Sequence, residues 1–366
     1  MVSKPCLLYL LKSFKIYIKM SNSRQDHFLP RGRREFIRST GIFIGSALIT
    51  GATAGPLSDS KETPAQPVNQ DIQNGFFDIH LHTCFPRLPK ITRSNGTHYP
   101  SPEVLIEMMD NAGIAKAVVL STLSPECRYT IVTPEETLQI CDKYPGRLVP
   151  FCNFDPRYLT NSTKANFLPL LLAYKEAGFK GVGEYIPNIF LDDPLNMNFF
   201  SQVEEAGLPL TFHLAPQVGG YYGCVDEPGL PRLENVLKSF PKLIFLGHSQ
   251  VFWSEIGILK NPDERSGYPR GPVEKEGRVV KLMRQYPNLH GDLSAGSGFN
   301  AISRDPEFGY KFMEEFQDRL YFGTDIANVP QELPIVPYFR KLKEEKLISA
   351  EAYEKIARTN AERLLK

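Results

Sequence analysis

Tryptophan occurs once in the 366 residues, histidine seven times and cysteine six times, and no spacing repeats among the cysteines. A disulfide framework is therefore not the basis of the fold. The body of the chain also lacks any basic block: residues 55–366 hold 33 Lys and Arg against 39 Asp and Glu. Such a mildly acidic body argues against a nucleic-acid surface. No G-x-G-x-x-G follows the first apolar run, which removes support for a dinucleotide-binding sheet. The weakly apolar stretch 42–50 is far shorter than the ~20 residues a membrane-spanning helix needs.

What is present first is an asymmetric N-terminus. Residues 1–54 carry nine Lys and Arg against two Asp and Glu. Arg33 and Arg34 precede Phe36 and Ile37, a short apolar stretch of small residues follows, and Ala52-Thr53-Ala54 closes it. That order is the layout of an export signal, and R-R-x-F-I resembles a twin-arginine signal. The expectation is a signal region over 1–54 cleaved after Ala54 and a product that is periplasmic or extracellular, with no stable membrane insertion once the signal is gone. A membrane anchor is the alternative. Cleavage would remove Cys6 and leave five cysteines. Residues 55–73, polar and proline-containing, read as a linker. The domain is expected over 74–366.

Within that domain eight short apolar or β-branched runs appear, at 75–82, 114–121, 147–154, 178–186, 208–215, 242–249, 288–295 and 319–326. Segments with helical periodicity lie between them. Ser101-Pro102-Glu103 and Thr133-Pro134-Glu135 have the order N-cap, proline, acid; Gly113, Gly146, Gly178 and Gly207 stand where helices end. Strand-helix alternation implies parallel strands with right-handed crossovers, and eight units closing on themselves make a (β/α)8 TIM barrel. A doubly wound open sheet is the competitor.

The polar residues fall in a pattern. In "FFDIHLHTCF" a strand would place Asp78, His80 and His82 on one face, with Ile79 and Leu81 on the other. Glu184 ends the fourth run, His213 the fifth, His248 the sixth and Asp325 the eighth. In a barrel all of these lie on the C-terminal rim, where working residues sit. Any one histidine there is more often a hydrogen-bonded structural residue than a ligand. Together, His80, His82 and His213 offer three imidazoles and Asp325 a carboxylate, a donor set suited to zinc or a similar divalent ion with one position open.

H-x-H after strand 1, histidines after strands 5 and 6 and aspartate after strand 8 resemble the amidohydrolase superfamily, and most closely its amidohydrolase-2 branch. "FCNFDPR", "GLPLTFH", "LGHSQ", "LYFGTDI" and the closing "ARTNAERLL" share in the resemblance, which spans most of residues 75–366. It implies a metal-dependent hydrolase acting on a C–N or C–O bond of a small molecule, with a metal-activated water as nucleophile. It also implies Asp325 as the group that accepts the water's proton. His248 would orient water or stabilise the developing oxyanion. Many relatives carry a lysine after strand 4 that becomes carboxylated and bridges two metals, whereas this chain has Glu184. The glutamate would bridge two ions, ligate one, or hold a ligating histidine. With three imidazoles and one carboxylate otherwise assigned, one zinc-like ion is favoured over two.

The branch also includes metal-dependent decarboxylases, so lyase chemistry on the same scaffold is the alternative. A binding barrel with a structural metal is a third class, disfavoured because structural zinc usually has four protein ligands. Substrate contacts are expected from the long connections: residues 83–100 as a lid, Arg87, Arg128 and Arg304 as carboxylate holders, and Trp253 and Asn300 on the loops after strands 6 and 7. His98 and His290 fit no part of the set and read as structural.

Overall fold

The computed structural model describes residues 74–87, 96–127 and 130–366. The expected signal region 1–54, the linker 55–73, residues 88–95 of the expected lid and Arg128 lie outside the described residues. All eight expected strands are present: β1 Phe76–Leu81, β2 Ile114–Leu120, β3 Leu148–Phe151, β4 Val182–Tyr185, β5 Leu210–Ala215, β6 Phe245–His248, β7 Leu289–Asp292 and β8 Leu320–Tyr321. Neighbouring strands pair in parallel from β1 to β3 and from β4 to β8. Two junctions close the ring. The bridge Cys152 to Val182 joins β3 to β4, and Ile79 N and His82 N donate to the carbonyls of Phe322 and Ile326 to join β1 to β8. The open-sheet alternative is thereby excluded. A two-residue strand not anticipated from the sequence, Cys224–Val225, pairs with the end of β5.

The barrel is filled, not hollow. Phe77, Ile79, Val118, Leu120, Phe151, Leu246 and Tyr321 pack together with Ala361 and Leu365 of the C-terminal segment. A second, larger apolar layer between strands and helices includes Leu105, Met109, Ile140, Phe199, Val236, Met283, Phe312 and Phe339. Removing that much apolar surface from water, at roughly 25 cal/mol per Å², is the main force that holds the rim residues in place.

The helix signals work as their chemistry requires. Ser101 and Thr133 cap their helices by accepting from the Val104 and Glu136 amides, with proline at the first turn, and Gly113 and Gly207 close helices in the left-handed region. One expectation fails. Residues 294–307, expected as a substrate loop, contain a helix, Ala295–Ser303, despite two glycines. Burial of Ala301 and Ile302 outweighs the ~1 kcal/mol cost of each glycine.

Candidate metal centre

The rim gathers four histidines and three carboxylates. His80 lies in β1 and His82 just beyond it, and their Nε2 atoms are 3.1 Å apart. From β4, Glu184 brings Oε2 to 3.4 Å from His82 Nε2 and 3.9 Å from His80 Nε2. After β8, Asp325 brings Oδ1 to 3.5 Å from His82 Nε2 and 3.7 Å from His80 Nε2. Its backbone sits in the left-handed region at φ 53°, a conformation that aspartate tolerates better than most residues. His213 and His248 are partners in register on β5 and β6. His213 Nδ1 lies 2.7 Å from Glu184 Oε1, so this glutamate touches both sides of the site.

Two residues absent from the sequence-based set complete the arrangement. Asp292, the last residue of β7, is fully buried and holds His80 Nδ1 at 2.6 Å, with His248 Nδ1 3.5 Å away. A Cβ on Gly323 would lie 2.7 Å from Ser294 Cβ and 3.0 Å from Asp292 Oδ1, so a side chain there would press on both. Ser294 Oγ lies 3.0 Å from His248 Nδ1 and its amide donates to Asp292. Asp78, expected on the face of the histidines, takes another role. Its carboxylate accepts from the amides of His80 and Thr324 and from the Thr324 hydroxyl, fastening β1 to the chain after β8.

The electrostatics ask for a positive charge. Burial opposes charging of His80, but Asp292 against its Nδ1, with Asp325 and Glu184 near, pushes its pKa up to about 10. Burial also works against the Glu184 carboxylate, yet its hydrogen bonds to His213 and His82 hold it well below the ordinary range. Burial raises Asp325 and Asp78, the latter to about 7. His248 is pushed down to about 3 by burial and by the neighbouring His80.

A divalent cation fits this donor set. Two imidazole Nε2 atoms at 3.1 Å and carboxylate oxygens at 3.4 to 3.9 Å have the mutual spacing of ligands around an ion with bonds of ~2.1 Å. His82 Nδ1 is buried without a hydrogen-bond partner, so its ring is held from the Nε2 side and by stacking on Tyr99 at 5.2 Å. His80, His82 and Glu184 form one candidate ligand group, Glu184, His213 and His248 a second, and His80, His248 and Asp325 a third.

The expected substrate residues do not gather at this centre. Trp253 is buried, donating from Nε1 to the Asp292 carbonyl at 2.8 Å, so it supports the floor of the site instead of lining its mouth. Arg87 is bound to the Ile131 carbonyl and Glu136, tying together the connections after β1 and β2. Asn300 donates to the Pro269 carbonyl. The Arg304 guanidinium lies close against Gly257 and is half withdrawn from water. As read from the sequence, His290 is structural, its Nδ1 2.8 Å from the Tyr321 hydroxyl, and His98 bonds the Tyr99 carbonyl.

No curated protein matches the chain in sequence. Among solved structures it resembles an uncharacterised TIM-barrel protein of Bordetella bronchiseptica, with 18% identity, a TM-score of 0.53 and coverage of 79% of this chain and 98% of the other. It also resembles 5-carboxyvanillate decarboxylase from Novosphingobium aromaticivorans, complexed with manganese and 4-hydroxy-3-methoxy-5-nitrobenzoic acid. There the identity is 16%, the TM-score 0.50 and the coverage 81% of this chain and 99% of the other. At such identities these likenesses establish the fold alone. A family model described as Amidohydrolase matches residues 77–366, which include every member of the rim cluster. The chain is an enzyme of the amidohydrolase family.

Proposed function

We propose that the protein hydrolyses a C–N or C–O bond of a small molecule at a centre of one divalent ion held by His80, His82, Glu184 and Asp325; His213, expected from the sequence as a third ligating imidazole, is assigned instead to Glu184, whose Oε1 is 2.7 Å from its Nδ1. Zinc suits the imidazoles best, and manganese, named with the 5-carboxyvanillate decarboxylase structure, is the alternative that two carboxylate donors would also accept. When bound, the ion supplies Lewis acidity toward a carbonyl and toward water. The observation that carries hydrolysis is the place of Asp325: its Oδ1 is within 3.7 Å of both ligating imidazoles, and a quarter of its side chain is open to solvent. A carboxylate so placed can reach water as well as the metal donors.

The residues divide the work. Asp325 accepts the proton of the attacking water as the new C–O bond forms and the carbonyl electron pair moves onto oxygen. The same carboxyl then gives that proton to the departing nitrogen or oxygen as its bond to carbon breaks. His248, steadied by Ser294 and beside Asp292, is placed to donate to the developing oxyanion. Asp292 fixes the orientation of His80, as a carboxylate behind a ligating histidine does. Screening the metal-loaded enzyme on lactones, esters and amides, with carboxylated aromatics in parallel, tests this. Acid release with uptake of water is the expected result, whereas carbon dioxide release without water uptake would replace hydrolysis by decarboxylation.

Export belongs to the same proposal and is supported by the sequence alone. Changing Arg33 and Arg34 to lysine should leave folded, metal-loaded precursor in the cytoplasm, because the twin-arginine route the signal resembles carries folded proteins. Unaltered export of the double variant in a fractionation experiment would point to another route.

A further inference from the structure

Most of the large apolar side chains that stand exposed, among the described residues, lie in connections that follow strands, as Ile131, Leu159, Phe190 and Tyr268 do. They share the rim with the metal centre. The densest group is in the connection after β5, residues 216–223, which has no charged residue and exposes Val218 by 54%, Tyr221 by 46% and Tyr222 by 47%. Exposed apolar groups concentrated at the mouth of a site are a mark of ligand contact.

This connection is held in place. Asn188, buried after β4, donates from Nδ2 to the carbonyls of Gln217 and Gly223 and accepts from the Gly219 amide. Gly223 donates to the Ile186 carbonyl at 2.8 Å. Its φ is +104°, and a Cβ there would lie 2.7 Å from His213 Cδ2, so the chain rests directly on the histidine ring. Tyr222 is thereby set over His213, the two ring centroids 4.5 Å apart at a tilt of 46°. Tyr99 has the corresponding place against His82 but is buried, with 9% exposure. Of these two aromatic neighbours, Tyr222 is the one with a substantial accessible surface.

The geometry points to Tyr222 as the specificity-determining residue, the wall on which a flat unsaturated or aromatic part of the substrate stacks while its reacting group lies at the metal centre. The inference rests on the metal centre proposed above but not on hydrolysis. A ring fixed by its neighbours loses little entropy when it binds, so an aromatic contact there is worth ~0.5–1.5 kcal/mol, about 2- to 12-fold in affinity.

Titration calorimetry of the zinc-loaded protein with benzoate and with cyclohexanecarboxylate isolates this contact, because the two carry the same carboxylate on a flat and a puckered ring. The expectation is tighter binding of benzoate by ~3- to 10-fold in the wild type and in Tyr222→Phe, and loss of that preference in Tyr222→Leu with metal content unchanged. A wild type that does not prefer benzoate, or that binds neither, overturns the inference. So does a preference that survives Tyr222→Leu. Absence of hydrolytic turnover with the ring preference intact would count against hydrolysis and leave the role of Tyr222 standing.

Discussion

Asp325→Asn should keep its metal and lose turnover by about 10³-fold, within the range a positioned general base contributes. Asparagine has the same shape, retains one oxygen donor and tolerates the left-handed backbone at φ 53°, so the connection after β8 need not rearrange. The Asp325 amide that donates to the His80 carbonyl at 2.8 Å is untouched. What the substitution removes is the capacity to accept and return a proton. The loss should appear in kcat and in kcat/KM alike, as for a group that acts only in the transition state. Metal analysis on the same sample separates chemistry from binding. Full activity in Asp325→Asn would eliminate the proposed proton acceptor.

His80→Ala should abolish tight metal binding and also weaken the metal-free fold, two effects with different causes. The first is loss of an Nε2 donor 3.1 Å from that of His82, and it should exceed the ~10–100-fold that loss of an outer partner produces. The second arises on the other side of the ring. His80 Nδ1 is the partner of Asp292, whose carboxylate is fully buried; without the imidazole that charge loses the partner 2.6 Å away. Breaking such a buried pair costs about 3–5 kcal/mol. Adding Asp292→Asn to His80→Ala should therefore recover much of the stability without restoring the metal, a non-additivity that denaturant titration can read. Equal stability of the single variant and the wild type would show that Asp292 does not depend on His80.

How much of this was legible beforehand differs from residue to residue. The eight strands could be read because each is a short apolar run bounded by helix caps, glycines or prolines. The rim residues could be read because a polar side chain at the end of such a run has few other uses: the structure brings His80, His82, Glu184, His213, His248 and Asp325 together. Asp292 carries the same signal in "NLHGDLSA", yet its partner, His80, lies on another strand far earlier in the chain, so the run alone does not assign it. Asp78 shares the period of the histidines, yet only the position of Thr324, far along the chain, decides that it fastens two strands. Trp253 stands in a connection where a pocket wall would be expected, and its burial depends on contacts with β7 that no local pattern encodes. Tyr222 has no sequence signal at all. Its placement follows from Gly223 lying on His213 and from Asn188, a residue of another connection.

The most direct test of a single-ion centre is the metal content of the purified protein, measured by plasma mass spectrometry after zinc loading and exhaustive dialysis, beside that of Glu184→Gln. One ion per chain is expected for the wild type, with weaker retention in the variant, because Glu184 Oε2 faces both ligating imidazoles while Oε1 holds His213. Two ions retained with equal tightness by the wild type, dropping to one in Glu184→Gln, would show instead that the glutamate bridges a dinuclear site. A wild type that retains no ion would contradict the metal centre itself.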